Sequence, residues 1–122
     1  MARVYRALPQ EQIAAICERI DAGSATRDDM KDATKHYLAL LVEKAPGASV
    51  EVRVPPFAAV QCVPGVRHTR GTPPAIVETD PATWIALARG RLAWSDAPLR
   101  ASGERSDLSA WLPLGLGPER DI

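Results

Sequence analysis

The sequence is poor in aromatic residues, and it carries no excess of either charge. Phe, Trp and Tyr make up 5% of the 122 residues, and Phe57 is the single phenylalanine. Lys plus Arg and Asp plus Glu each number 15, so the formal net charge is zero and predicts no attraction to nucleic acid. No run of the sequence approaches the ~20 apolar residues that a membrane span requires. We therefore expect no nucleic-acid partner and no membrane span.

Metal-binding and disulfide signals are also scarce. The two cysteines, Cys17 and Cys62, belong to no CxxC pair, and with two distant histidines, His36 and His68, they offer too few ligands for zinc. Cys17 falls in a helical pattern and Cys62 in a strand pattern, so we expect buried free thiols in a reducing compartment. The N-terminal segment MARVYRALPQEQ lacks an apolar h-region, which predicts no signal peptide. These features predict a soluble, cytoplasmic protein without metal or cofactor.

The apolar content, by contrast, is that of an ordinary globular protein. It amounts to 46% of the residues, and the length suits a single domain over residues 1–122. Apolar residues recur at helical spacing on both sides of Gly23, which predicts a helical hairpin over residues 1–47 with its first helix starting at Pro9. His36 lies one residue from the apolar face of the second helix, so we expect it to be partly exposed.

The pattern after the hairpin changes from helical to alternating, which predicts a sheet with helices over residues 48–114. Val50, Val52 and Val54 alternate with charged residues, as in a half-buried strand. Further strands are predicted at residues 57–63, 75–78 and 99–102. A helix is predicted to start with Asp80 as its N-cap, and a final short helix is predicted to carry Leu108, Trp111 and Leu112. Residues 115–122 are predicted to be a frayed tail.

The order of elements in the C-terminal part resembles sterol-carrier-type domains. The runs ETDPATWIALARGRLAW and ASGERSDLSAWLPL give a helix that starts with Asp-Pro, a Gly-Arg-Leu element, a strand ending in Ser-Gly and an amphipathic segment. VEVRVPPFAAVQC followed by RHTRGTPP is similar to a small bacterial branch of sterol-carrier orthologues. The resemblance implies an α+β fold with a curved mixed sheet of about five strands, helices packed on one face, and an apolar tunnel between the two layers.

The resemblance also implies a function, the non-catalytic binding of an apolar small molecule such as a lipid or an acyl chain. The residues expected to contact its apolar part are Phe57, Val60, Trp84, Leu87, Leu92, Trp94, Leu108, Trp111 and Leu112. The alternative for the tryptophans is a place in the core or at its rim, since a large aromatic side chain is buried wherever packing places it. For Trp84 we favour the core, because it lies on the apolar side of a capped helix together with Leu87 and Ala88.

A polar segment supplies the candidate site for the ligand's head group. Arg67, His68 and Arg70 lie between glycines and prolines, and two guanidiniums with an imidazole can bind a carboxylate or a phosphate. Alternatively, the arginines order the segment by bonding to backbone carbonyls and to Glu78 or Asp80. The sequence leaves both interpretations open.

Two other functions are compatible with the sequence. One is an accessory protein–protein interaction domain with a filled core, related to domains appended to bacterial thiol-dependent enzymes, with a protein partner or a second copy as its target. The other is an enzyme that uses His68. No serine or cysteine lies in a recognisable nucleophile–base pattern, so we expect a protein without catalytic residues.

Overall fold

The computed structural model describes residues 5–65, 75–103 and 106–115, which form three α-helices and a four-stranded sheet. The elements follow one another as α1 (Gln10–Asp21), α2 (Arg27–Lys44), β1 (Val50–Val54), β2 (Ala58–Cys62), β3 (Ala75–Glu78), α3 (Pro81–Ala88) and β4 (Arg100–Ser102). Single turns of 3-10 helix lie at Trp94–Asp96 and Ser109–Trp111. The predicted α+β class is confirmed.

The N-terminal hairpin forms as the sequence predicts, since both helix starts carry local signals. The α1 helix follows Pro9 and buries Ile13, Ile16 and Cys17 on one face. The α2 helix begins after Thr26, whose hydroxyl accepts the backbone N–H of Asp29 while the Asp29 carboxylate accepts the backbone N–H of Thr26. This reciprocal arrangement satisfies two N–H groups that a helix start would otherwise leave unpaired.

An ion pair joins the two helices of the hairpin. The Arg19 guanidinium donates from Nε to Asp29 Oδ2 at 2.8 Å and from Nη2 to Asp29 Oδ1 at 2.9 Å. These bonds, together with the one from the Thr26 backbone, hold the pKa of the Asp29 carboxyl well below its usual range. The same carboxylate therefore caps α2 and ties α2 to α1.

We expect Asp29→Asn to lower the free energy of unfolding at neutral pH and to weaken its dependence on pH in acid. An unfolded-state Asp has a pKa of about 3.9, and the folded-state pKa lies below it. The pair therefore stabilises the fold above the unfolded-state value, and this contribution is lost as the pH falls through the folded-state pKa. Urea denaturation at neutral and acidic pH measures both effects.

Asp28→Asn is the matched control for this prediction, because Asp28 is an exposed carboxylate in the same first turn of α2. It is expected to behave like the parent at both pH values. Equal acid sensitivity of the parent and of Asp29→Asn would contradict a stabilising role for the ion pair.

The sheet has the strand order β2-β1-β3-β4, with β1 parallel to β3 and the other neighbouring pairs antiparallel. On β1, the alternating valines are buried and pair with apolar residues, as Val52 does with Val60 on β2 and Val77 on β3. Arg53 lies on the opposite face of β1 and is exposed, as is its partner Ala59 on β2. One face of the sheet is thus buried in the core and the other meets solvent.

Two predictions about the second half of the chain differ from the structure. The described residues form four strands rather than about five. The predicted final helix is a single 3-10 turn, Ser109–Trp111. Proline disfavours helical geometry in the residue before it, so Pro113 stops the turn at Leu112, and Asp107 Oδ1 accepts the Ser109 backbone N–H at its start.

The prediction that His36 is partly exposed is wrong, because the imidazole is fully buried. Its Nδ1 accepts the backbone N–H of Leu8 at 2.8 Å, and its ring meets that of Tyr37 edge to face at a centroid distance of 4.8 Å. The segment before α1 packs over α2 at this point, with Tyr5 and Leu8 against the core. Helical periodicity within α2 alone carries no information about a segment that covers its other side.

Candidate functional site

The core is filled around five buried residues of α2 and β1. Tyr37, Leu38 and Leu41 of α2 and Val50 and Val52 of β1 have no exposed area. A side chain that lines a cavity wide enough for water retains some accessible area, so these residues line none. The cavity predicted between sheet and helices therefore has no room at these residues.

An apolar groove lies instead at the C-terminal end of α3. Its volume is about 330 Å³, and it is open to solvent on one side. The residues that line it are Leu87, Gly90, Arg91, Leu92, Ala93, Trp94, Ser109, Leu112 and Pro113. We refer to it as the α3 groove.

The two walls of the α3 groove come from segments that the fold brings together. Gly90 ends α3 with φ at +76°, and a Cβ at this position would lie 3.2 Å from Pro113 Cβ. The Leu114 backbone N–H donates to the Ala88 carbonyl at 2.7 Å. Lys44, the last residue of α2, donates from Nζ to the Trp111 carbonyl at 2.9 Å and to the Pro113 carbonyl at 3.3 Å. Ser109, Leu112 and Pro113 form the C-terminal wall of the groove. This wall is thus anchored to the ends of α2 and α3.

Four of the nine residues predicted to contact an apolar ligand line this groove. Leu87 forms its buried floor, while Leu92, Trp94 and Leu112 are half-buried around it. Trp111 is also half-buried and packs on the core beside Leu112 without lining the groove.

The other four predicted apolar residues lie away from the α3 groove. Trp84 is 1% exposed, and its indole Nε1–H donates to the Thr34 carbonyl at 3.3 Å. Leu108 and Val60 belong to the core. Phe57 is half-buried beneath the Arg27 guanidinium, whose Cζ lies 5.0 Å from the ring centroid.

The predicted head-group residues Arg67, His68 and Arg70 lie outside the described residues. Instead, a different arginine lies at the α3 groove. Arg91 lines the groove, and its Nη1 lies 3.4 Å from Asp21 Oδ1 at the end of α1. The sequence marks it only as the residue between Gly90 and Leu92 in the Gly-Arg-Leu element, so its neighbours became evident from the fold alone.

A wider depression of about 520 Å³ lies at the end of β3 and is lined by Pro55, Glu78, Thr79, Asp80, Pro98, Leu99 and Arg100. Two of its polar side chains serve the fold. Asp80 caps α3 by accepting the Thr83 backbone N–H at 2.8 Å, and Thr79 Oγ1 donates to the Pro98 carbonyl at 3.0 Å. None of the predicted site residues that the structure describes lines it.

The two cysteines are buried free thiols, at positions that the sequence pattern assigns to apolar faces. Burial raises the pKa of the Cys62 thiol to about 12, so its thiolate is disfavoured at neutral pH. The Cys17 sulfur lies 3.4 Å from the Tyr37 hydroxyl, and burial is the main cause that raises the pKa of this tyrosine.

Metal ligands do not converge among residues 5–65, 75–103 and 106–115, where no group of three or more His, Cys, Asp or Glu side chains is placed to hold an ion. Within the same described ranges, no helix combines the length and the apolar character that crossing a bilayer requires.

Comparison with known proteins identifies the family. No curated protein matches the chain. A family model described as bacterial SCP ortholog matches residues 26–114, a stretch that runs from the N-cap of α2 to the segment that closes the α3 groove. The chain therefore belongs to the family of bacterial SCP orthologs, which are sterol-carrier-protein-type domains.

Proposed function

We propose that this protein binds an apolar small molecule, such as a lipid or an acyl chain, in the α3 groove and catalyses no reaction on it. The observation that carries the proposal is the lining of the groove, in which Leu87, Leu92, Trp94 and Leu112 come from α3, the segment after it and the C-terminal segment. Membership of the bacterial SCP ortholog family supports an apolar ligand.

The physical basis of binding is the removal of apolar surface from water. Each methylene group of a ligand that leaves water contributes about 0.8 kcal/mol, and the side chains that cover it contribute as well. Trp94 adds a large, rigid surface at low entropic cost. Leu87, which is only 2% exposed, forms the floor of the groove.

The groove's described lining also supports a binder rather than an enzyme. Its polar side chains are those of Arg91 and Ser109, and no histidine, cysteine or carboxylate is among its lining residues. General acid–base or nucleophilic catalysis at neutral pH relies on such groups within hydrogen-bond reach of the reacting atoms.

Titration with lauryl alcohol tests the proposal, with binding followed by calorimetry and by tryptophan emission. The parent protein is expected to bind the alcohol, and Leu92→Ala is expected to weaken binding roughly fivefold, which corresponds to about 1 kcal/mol of lost apolar contact. The reason is that Leu92 lines the groove and is half-buried without a ligand.

Leu99→Ala is the matched control, because Leu99 is likewise a half-buried leucine outside the helices but lines the wider depression at β3. It is expected to leave the affinity unchanged. Absence of binding by the parent protein, or a loss of affinity in Leu99→Ala instead of Leu92→Ala, would overturn the proposed site.

A further inference from the structure

We infer that Arg91 makes the α3 groove selective for apolar ligands with an anionic head group, because its guanidinium can pass from Asp21 to the ligand. The inference rests on the proposed function and adds to it the chemistry of the ligand's polar end. It replaces none of the predicted residues, since Arg67, His68 and Arg70 lie outside the described residues.

Arg91 occupies the boundary between two apolar surfaces. It lines the α3 groove, and it also lines a smaller depression of about 190 Å³ that includes Ile20, Met30 and Ile85 on the other side of α3. Its backbone N–H donates to the Ala86 carbonyl at 2.9 Å, which ties the start of its side chain to α3. Its side chain is 58% exposed, so the guanidinium has room to turn toward either surface.

Asp21 holds its two arginines unequally. Arg89 binds it in a bidentate manner, with Nη1 on Oδ1 and Nη2 on Oδ2 both at 3.0 Å, and only 11% of the Arg89 side chain is exposed. Arg91 contributes one contact of 3.4 Å to Asp21 Oδ1. Bidentate guanidinium–carboxylate pairs are the stronger arrangement, whereas a single exposed contact contributes little.

Asp21 consequently stays paired when Arg91 leaves it. The pKa of the Asp21 carboxyl is lowered from its ordinary value chiefly by the hydrogen bond from Arg89, with smaller effects of Arg91. Two guanidiniums share one carboxylate, so this cluster carries an excess positive charge that a bound anion would balance.

The position of this charge determines which ligands are favoured. Of the described residues that line the α3 groove, Arg91 is the one with an ionisable side chain. An anionic head group at the end of the groove would accept charge-assisted hydrogen bonds from the guanidinium while the chain covers Leu92 and Trp94. A neutral head group gains less binding free energy from contact with the guanidinium, and a cationic head group is repelled by it.

Three probes with the same alkyl chain test this inference: laurate, lauryl alcohol and laurylammonium, each titrated below its micelle concentration. The parent protein is expected to bind laurate most tightly and laurylammonium least tightly. Arg91→Gln is expected to weaken laurate binding roughly tenfold, to weaken alcohol binding much less and to improve laurylammonium binding. Rising salt is expected to reduce the preference for laurate in the parent protein, because screening weakens exposed charge pairs.

Arg100→Gln is the control variant, since Arg100 is an exposed arginine that lines the wider depression at β3. It is expected to keep the parent's order of affinities. Thermal melts of both variants verify that they are folded, and a melt of Arg91→Gln close to the parent's is expected because the bidentate Arg89–Asp21 pair remains.

The possible results separate this inference from the proposed function. If the parent protein binds none of the three probes, the proposed function fails and the inference fails with it. If it binds laurate and the alcohol equally and Arg91→Gln changes neither affinity, the groove binds apolar chains but Arg91 does not select the head group. If Arg91→Gln weakens all three probes alike, Arg91 supports the shape of the groove, and head-group selection is overturned.

Discussion

Trp84→Ala is expected to lower the free energy of unfolding by about 3–5 kcal/mol, the range for deleting a large buried aromatic side chain. Trp84 is 1% exposed on α3, and the core around it includes Leu38 and Leu41 of α2. Truncation leaves a cavity between tightly packed elements and removes the hydrogen bond from the indole to the Thr34 carbonyl. Urea denaturation followed by circular dichroism measures the loss.

Trp84→Phe is the control for this prediction. It keeps an aromatic ring in the core and removes the indole Nε1–H that Thr34 accepts, so its cost is expected to lie well below that of Trp84→Ala. A loss of less than about 1 kcal/mol in Trp84→Ala would contradict the burial of this side chain and the packing of α3 on α2.

Gly47→Ala is expected to have the second large effect, a loss of about 3 kcal/mol or more, at the upper end of the cost of overpacking. A Cβ on Gly47 would overlap the carbonyl oxygen of Val63 and would lie 2.5 Å from the Val63 carbonyl carbon and 2.7 Å from Pro64 N. All three atoms belong to the backbone, so no side-chain rotation can relieve the overlap. The Val63 carbonyl is held in place by the Ser49 hydroxyl, which donates to it at 2.7 Å.

Gly47 also has a positive φ, at +150°, so Gly23→Ala is used to show the cost of a positive φ without this overlap. Gly23 has φ at +76°, yet a Cβ there would meet nothing within 4 Å. Its cost is expected to be about 1–2 kcal/mol, the strain of a side chain in the left-handed region. Chemical denaturation of both variants gives the comparison, and equal losses would show that the contact with Val63 is not what requires glycine at position 47.

The sequence predicts the helices and strands of this protein well where their signals are local. Thr26 caps α2 and Asp80 caps α3 through bonds to residues three positions away, and such bonds depend on little beyond the neighbouring residues. The alternation of Val50, Val52 and Val54 predicts β1 for the same reason, because a strand turns every second side chain to one face.

The same local reasoning fails where a distant segment determines the environment. His36 has the sequence context of a surface residue, but the chain before α1 crosses α2 and supplies the Leu8 N–H to its ring. This outcome depends on residues outside the window that a periodic pattern covers.

The amino-acid sequence by itself determined the family, the α+β class and the capped starts of α2 and α3. Only the tertiary structure decided that Trp94 lines the α3 groove, and only it placed Arg91 beside Asp21. The physical reason is that periodicity assigns a residue to a face of its own element, whereas burial depends on which distant segment covers that face. Here the C-terminal wall of the groove is held by a hydrogen bond from Lys44 to the Trp111 carbonyl, and these two residues are 67 positions apart in the chain.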